Sequence, residues 1–136
     1  GELRAVAYRE GAVIGEATVR TAGEPVEIRL TPDRITLDAD GMDLSYVLVE
    51  AFDAAGNPAP LADHRVSLEI EGPARIAGVG NGNPRNFEPM HAETVDLFYG
   101  KAMIIVGSGT EGGDVRLRAT VDGMQGDAVE LQVVAR

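Results

Sequence analysis

The chain contains no cysteine and no tryptophan, and its three phenylalanines and three tyrosines make up only 4% of 136 residues. The absence of cysteine excludes disulfides, thiolate zinc sites and cysteine nucleophiles. Because both cysteine and tryptophan are absent, the chain cannot have the antibody type of core, in which a disulfide packs on a tryptophan ring. Because 44% of the residues are hydrophobic, a core can still form, but it must be built from aliphatic side chains.

Positive charge and long apolar runs are also scarce. The sequence has 12 Lys and Arg against 22 Asp and Glu, which gives a formal net charge of −10. Such a charge repels phosphate backbones and anionic lipids, so we expect no nucleic-acid partner and no membrane partner. No stretch approaches the ~20 apolar residues of a transmembrane helix. No signal peptide is visible, and the missing initiator methionine predicts a fragment of a longer protein.

Hydrophobic and polar residues alternate along most of the chain, and a period of two is typical of strands. The longest clear strand is predicted at 45–53, with Val47, Val49 and Ala51 facing the core. A fully apolar run at 102–106 indicates a central strand buried on both faces. No segment has the pattern of a helix of three turns. The sequence therefore predicts an all-β, immunoglobulin-like antiparallel β-sandwich of about seven to nine strands, with a closed barrel as the alternative.

An immunoglobulin-like sandwich needs about 100 residues, so the chain is longer than one such domain requires. We assign the extra residues to its start. Residues 1–24 are predicted to contain an extra N-terminal β-hairpin that turns at Glu10 and Gly11, followed by a linker-like break. A lone two-stranded hairpin is marginal in water, and its edges are unpaired. We therefore expect it to pack on the rest of the chain or on a second copy in a homodimer.

The most unusual string occupies residues 72–84 and reads GPARIAGVGNGNP. It lacks the Lys-Ser/Thr pair and the helix of a phosphate-binding loop. We expect Gly80 and Gly82 to supply positive φ angles in a tight turn, and Asn81 and Asn83 tolerate the same conformation.

With Glu71 added, this string is similar to the most recognisable segment of the C-terminal immunoglobulin-like domain of family 2 glycoside hydrolases, the bacterial β-galactosidases and their relatives. Residues 40–58 resemble the opening of that domain, and residues 98–106 resemble the strand that follows its long loop. Residues 1–25 resemble the end of the β-sandwich domain that precedes it. The resemblance therefore covers nearly the whole chain.

The resemblance implies a division of the chain in two. Residues 1–24 would be the terminal hairpin of a truncated preceding β-sandwich domain, and residues 26–136 a complete immunoglobulin-like domain. The parent protein would be a bacterial, β-galactosidase-like retaining hydrolase, periplasmic or secreted. In that family two catalytic glutamates, about 5 Å apart, lie on a separate barrel domain, and their motifs are absent here. We therefore expect the fragment to be inactive alone and to support interdomain packing or oligomerisation.

Few residues offer other chemistry. Residues 106–109, Val-Gly-Ser-Gly, only partly imitate the nucleophile elbow of a serine hydrolase, and a hairpin loop explains them better. Asp38, Asp40 and Asp43 cluster at one turn and carry oxygen ligands that calcium takes, but not with the spacing of an EF-hand loop. Asx turns that cap a bend explain the same cluster. We predict no catalytic residue, no cofactor and no metal site.

The loop at 81–93 is the segment most suited to contact another molecule, because long loops without internal structure are often functional. Phe87 lies in this loop among polar residues and could stack on a sugar ring; alternatively, it anchors the loop to its own domain or docks on a neighbour. The candidate residues for contact with other domains of the parent hydrolase, or with carbohydrate, are Arg85, Asn86, Phe87, Glu88 and His91.

Two other functions stay open. A carbohydrate-binding module would bind oligosaccharides as an isolated domain. A bacterial adhesin-type immunoglobulin-like repeat is also compatible, because residues 53–60 suit invasin-type domains as well, and tandem copies in the parent would favour it.

Overall fold

The computed structural model describes residues 1–135, and β-strands are the regular secondary structure of this part of the chain. No helix within it is long and apolar enough to cross a membrane. The first two strands, β1 (Glu2–Arg9) and β2 (Ala12–Arg20), pair with each other as an antiparallel hairpin. The later strands are β3 (Pro25–Pro32), β4 (Thr36–Asp38), β5 (Leu44–Asp53), β6 (Arg65–Glu71), β7 (Ala74–Gly80), β8 (Thr94–Asp96), β9 (Lys101–Ser108), β10 (Gly113–Val121) and β11 (Met124–Val134).

These later strands form a two-layered sandwich that is nearly closed on itself. One layer has the order β7-β9-β5-β3, and the other has the order β8-β6-β10-β11, with β4 beside β11. The two layers meet at one side, where β11 pairs in parallel with β3 through Gln125 and Glu27. The Asp127 carboxylate strengthens this junction, since it accepts a hydrogen bond of 2.8 Å from the backbone N–H of Leu30. The predicted immunoglobulin-like sandwich is confirmed.

The core is aliphatic, as the composition requires. On β5, Val47 and Val49 are 0% exposed and Ala51 is 1% exposed, in agreement with the predicted alternation. Burial of a valine, leucine or isoleucine side chain contributes roughly 1.5–3 kcal/mol. The largest fully buried side chains belong to Ile28, Leu37, Ile104, Leu117, Val47, Val49, Val66, Val106, Val115 and Val133.

The expectation for the apolar run at 102–106 needs refinement. In β9 the side chains of Ala102, Ile104 and Val106 are buried, but Met103 and Ile105 are only partly covered, so the strand is not fully buried on both faces. The strand is central in its layer, between β5 and β7, and its outer face is left partly open to solvent.

The connection between β6 and β7 requires glycine at position 72. Gly72 has a φ angle of +98°, which L-residues rarely adopt. A Cβ atom built there would lie 2.1 Å from the carbonyl oxygen of Asp114 on the neighbouring strand β10. The first residue of the string at 72–84 is therefore required to be glycine by a backbone contact within the fold.

The hairpin does not pack on the sandwich. Val6 is partly buried, and every other residue of β1 and β2 is exposed, so the expectation that the hairpin packs on the complete domain is wrong. Its pairing with a second copy stays a prediction. The division into a hairpin at 1–24 and a domain at 26–136 also stays a prediction, and Arg136 lies outside the described residues.

Candidate functional site

The loop at 81–93 closes the side of the sandwich that the strand pairing leaves open. The backbone N–H of Val79, in one layer, donates to the carbonyl of Met90 at 2.7 Å. The backbone N–H of Leu68, in the other layer, donates to the carbonyl of Glu93 at 2.8 Å. Because the loop is bonded to both layers, we call it the closing loop. The closing loop therefore connects the two layers of the sandwich, in addition to any contact it makes with another molecule.

Asparagine side chains brace the closing loop. Three of them accept a hydrogen bond of 2.9 to 3.0 Å from the backbone two residues ahead: Asn81 from Asn83, Asn83 from Arg85, and Asn86 from Glu88. The Asn81 amide also donates to the carbonyl of Asp96 at 2.9 Å and so ties the loop to β8. These are the Asx turns that the sequence favours for asparagine.

The glycines of this segment follow the expectation only in part. Gly82 has a φ angle of +73°, as expected for a tight turn. Gly80 does not have a positive φ angle, because it is the last residue of β7 and keeps an extended strand conformation.

The five candidate contact residues share the closing loop but do not converge on one pocket. Phe87 is 97% exposed, so it does not anchor the loop to its own domain. The side chain of Glu88 lies 3.5 Å from the guanidinium of Arg65. The Asn86 side chain is used within the loop, and Arg85 and His91 are exposed. The surface they form is a loop tip on which the phenyl ring of Phe87 is exposed.

An ion pair supports the base of the closing loop. The Arg65 guanidinium donates two hydrogen bonds to the Asp96 carboxylate, at 2.7 and 3.0 Å, and this contact lowers the pKa of Asp96 below its ordinary value. Both side chains are more than a third exposed, so screening by solvent keeps the contribution of this pair to stability small.

Asp53, at the end of β5, connects the sandwich to the linker that follows the hairpin. Its side chain is 6% exposed and accepts hydrogen bonds from the backbone N–H groups of Gly23, Ala55 and Asn57 and from the Asn57 amide. The bond from Gly23 is the largest of the effects that lower the pKa of Asp53 to about 2. Ala22 packs against the core beside it. These contacts fix the base of the hairpin to the sandwich.

A cleft of about 780 Å³ lies beside this joint, between residues 18–25 and the β5–β6 connection at 57–64. Its lining includes Pro58 and Leu61, and Leu61 is 90% exposed. The Nδ1 atom of His64, another lining residue, is buried and has no hydrogen-bond partner among the described residues. No local pattern in the sequence indicates this cleft, because it depends on the position of the hairpin relative to the sandwich.

The acidic turn at 38–43 uses its carboxylates as caps. The Asp40 carboxylate accepts two backbone hydrogen bonds within the turn, and the Asp43 carboxylate accepts one of 2.8 Å from the backbone of Asp38 and pairs with Arg34. Backbone N–H donors lower the pKa of both Asp40 and Asp43. Within residues 1–135, no group of three or more His, Cys, Asp or Glu side chains could hold a metal ion.

The fold and its closing loop define an immunoglobulin-like β-sandwich domain. A family model for glycoside hydrolase family 2 C-terminal domain 5 matches residues 28–130. The chain belongs to this family, as the resemblance of its sequence implies.

Several longer proteins are similar over most of this chain. The β-galactosidase BoGH2A of Bacteroides ovatus is 42% identical over 92% of this chain and 15% of its own length. A β-glucuronidase of Formosa agariphila is 31% identical over 97% of this chain and 14% of its own length. The crystal structure of a glycosyl hydrolase family 2 member from Bacteroides cellulosilyticus matches 98% of this chain and 17% of its own, with a TM-score of 0.92 and 36% identity. The chain thus spans about a sixth of these relatives.

Proposed function

We propose that this chain is a non-catalytic C-terminal domain of a β-galactosidase-like, retaining family 2 glycoside hydrolase, in which it supports interdomain packing or oligomerisation. The observation that carries the proposal is the family match at 28–130, in a chain that spans only 15% of its β-galactosidase relative. The catalytic glutamates of the parent lie on another domain, and the parent acts on β-linked glycosides in the periplasm or outside the cell.

The carboxyl groups of the chain support a non-catalytic role. Retaining hydrolysis needs a general acid with a raised pKa and a second carboxyl group about 5 Å away. Here the shifted carboxyl groups all have a lowered pKa, chiefly because N–H donors hold the ionised form; they are Asp33, Asp40, Asp43, Asp53 and Asp96. Such groups suit turn capping and ion pairing better than proton donation.

The proposal is tested by comparing three proteins: the 136-residue chain, the full-length parent, and the parent without residues 26–136. We expect the isolated chain to leave aryl β-galactosides and β-glucuronides intact, while the full-length parent hydrolyses one of them. The shortened parent should melt at a lower temperature or lose its oligomeric state. Hydrolysis by the isolated chain would reject the non-catalytic role, and an unchanged shortened parent would reject the packing role.

A carbohydrate-binding module is the second candidate, and the 97% exposure of Phe87 on a braced loop favours it. Isothermal titration of the isolated chain with galactosides and plant-type oligosaccharides tests it. Binding that disappears in Phe87→Ala but persists in Met90→Ala, a substitution at another exposed apolar residue of the same loop, would assign a sugar site to the ring. The absence of heat up to millimolar sugar would leave the interdomain role.

Membership of the family favours the hydrolase domain over the adhesin-type repeat. Tandem copies of this domain in a parent that has no catalytic barrel would reverse that preference.

A further inference from the structure

Asn81 differs from the other asparagines of the chain in the residue that follows it. The sequence has four asparagines. Asn57 and Asn83 each precede a proline, and Asn86 precedes a phenylalanine. Asn81 precedes Gly82, so the peptide nitrogen next to its side chain belongs to a residue without a side chain of its own.

The following residue decides how readily an asparagine loses its amide in water, where this side chain is thermolabile. The next peptide nitrogen, after losing its proton to solvent, bonds to the side-chain carbonyl carbon; the bond from that carbon to the amide nitrogen breaks, and ammonia leaves. Water then opens the cyclic imide at either carbonyl and leaves aspartate or isoaspartate. Proline has no N–H to lose, and a bulky side chain hinders the attack. Asn81 is therefore the asparagine most open to deamidation.

The structure exposes the attacking group and holds the amide. Gly82 is exposed, so solvent can reach its backbone N–H. The half-buried Asn81 side chain is bound at both polar atoms: its oxygen accepts a hydrogen bond of 3.0 Å from the backbone of Asn83, and its nitrogen donates one of 2.9 Å to the carbonyl of Asp96. Rotation of the amide group about its bond to Cβ breaks both contacts.

Loss of the amide nitrogen removes the tie between the closing loop and β8. A carboxylate at position 81 can still accept from the backbone of Asn83, but it has no N–H to donate. It would place one acceptor against another at the carbonyl oxygen of Asp96, and a covered acceptor without a donor is destabilising. Isoaspartate also lengthens the backbone at the start of the loop.

We propose that Asn81 is a deamidation site, and that its amide controls the attachment of the closing loop to β8. The two hydrogen bonds protect the side chain from attack by Gly82 while the loop is folded, and conversion to aspartate or isoaspartate releases the loop. The inference does not depend on the hydrolase role. Because the loop carries the five candidate contact residues, a contact made by them weakens as the protein ages.

Peptide mapping by mass spectrometry tests the site, after incubation of the 136-residue chain at mildly alkaline pH. Replacement of the amide NH₂ by OH raises the mass of the peptide that contains residue 81. In urea, this mass gain should appear at Asn81 before it appears at Asn86. Without urea, the rate at Asn81 should be lower by about tenfold or more, because the reaction then requires local opening of the loop.

A matched pair of substitutions tests the consequence for the loop. Asn81→Asp introduces the side chain of the product. Asn86→Asp makes the same change of charge in the same loop, but in its described hydrogen bond the Asn86 side chain accepts from the backbone of Glu88, which a carboxylate also does. Hydrogen exchange at residues 81–93 should be faster in Asn81→Asp and unchanged in Asn86→Asp. Deamidated chain, separated by ion exchange through its additional negative charge, should exchange like Asn81→Asp and so provides a second measurement.

Three results would overturn the proposal. Equal rates of mass gain at Asn81 and Asn86 in urea would reject the site. Equal rates at Asn81 in the folded and the urea-unfolded chain would reject protection by the two hydrogen bonds. A deamidated chain whose closing loop exchanges like that of the unmodified chain would show that the amide does not hold the loop.

Discussion

The carboxylate of Asp53 accepts a hydrogen bond of 2.8 Å from the backbone N–H of Gly23, although 30 residues separate the two in sequence. The bond joins the linker of the hairpin to the end of β5. The same carboxylate caps the β5–β6 turn, where it accepts a hydrogen bond of 2.8 Å from the backbone of Asn57. One side chain therefore orders the turn and also the joint between hairpin and sandwich.

The first prediction concerns the acid sensitivity of this joint. Because folding lowers the pKa of Asp53 from 3.8 to about 2, its contribution to stability is present above the unfolded value and is lost as the pH falls through this interval. Asp53→Asn should therefore melt at a lower temperature at neutral pH and should lose less stability on acidification. Circular dichroism melts at several pH values check this.

Asp122→Asn, a substitution at an exposed residue of the β10–β11 turn, is the control for the change of net charge. Melting curves of Asp53→Asn that run parallel to those of the unsubstituted chain at every pH would show that the carboxylate has no such role.

The second prediction concerns Gly72. Gly72→Ala should destabilise the chain by about 3 kcal/mol or more, because the positive φ alone costs about 1–2 kcal/mol and the new methyl group must also displace the backbone of β10. Gly123→Ala is a matched control, since Gly123 has a φ of +77° and no atom lies within 4 Å of its added Cβ. If urea-induced unfolding shows the same loss of unfolding free energy in both variants, the contact of residue 72 with the backbone of β10 does not explain the effect.

The third prediction concerns the bracing of the closing loop. Asn81→Ala removes two hydrogen bonds, one to the backbone of Asn83 and one to the carbonyl of Asp96, and should cost about 1–2 kcal/mol. Asn83→Ala removes its single described side-chain bond, to Arg85, and should cost about half as much. Hydrogen exchange should rise at residues 81–93 in both variants, and an unchanged loop in Asn81→Ala would contradict the bracing role.

The fourth prediction separates exposed from buried hydrophobic side chains. Phe87→Ala should change the free energy of unfolding by less than about 0.5 kcal/mol, because the ring is 97% exposed. Ile104→Ala, at a residue that is 0% exposed, should cost about 2–5 kcal/mol. A large loss in Phe87→Ala would mean that the ring packs on the domain in solution.

The fold was largely predictable because strand alternation is a local signal. The pattern of Val47, Val49 and Ala51 on β5 identified a buried face correctly, and the absence of helical periodicity identified the all-β class. The family could be inferred from the string at 72–84, whose glycine at position 72 is dictated by contact with β10. These features depend on single strands or single turns.

The surfaces could not be predicted to the same extent because they depend on contacts between distant segments. Nothing near Phe87 in sequence shows that Met90 and Glu93 hold the loop across both layers and leave the ring in solvent. In the same way, the exposure of the hairpin and the cleft beside it depend on where Gly23 meets Asp53.

The aliphatic core also has a spectroscopic consequence. With no tryptophan and no aromatic ring among the fully buried side chains, the described chain has little intrinsic fluorescence that reports on its folding. A melting curve followed by tryptophan fluorescence would therefore miss the unfolding of this domain. Calorimetry, or a single tryptophan introduced at Phe52, where the ring already stacks under Arg29 at 4.1 Å, would make its transition visible.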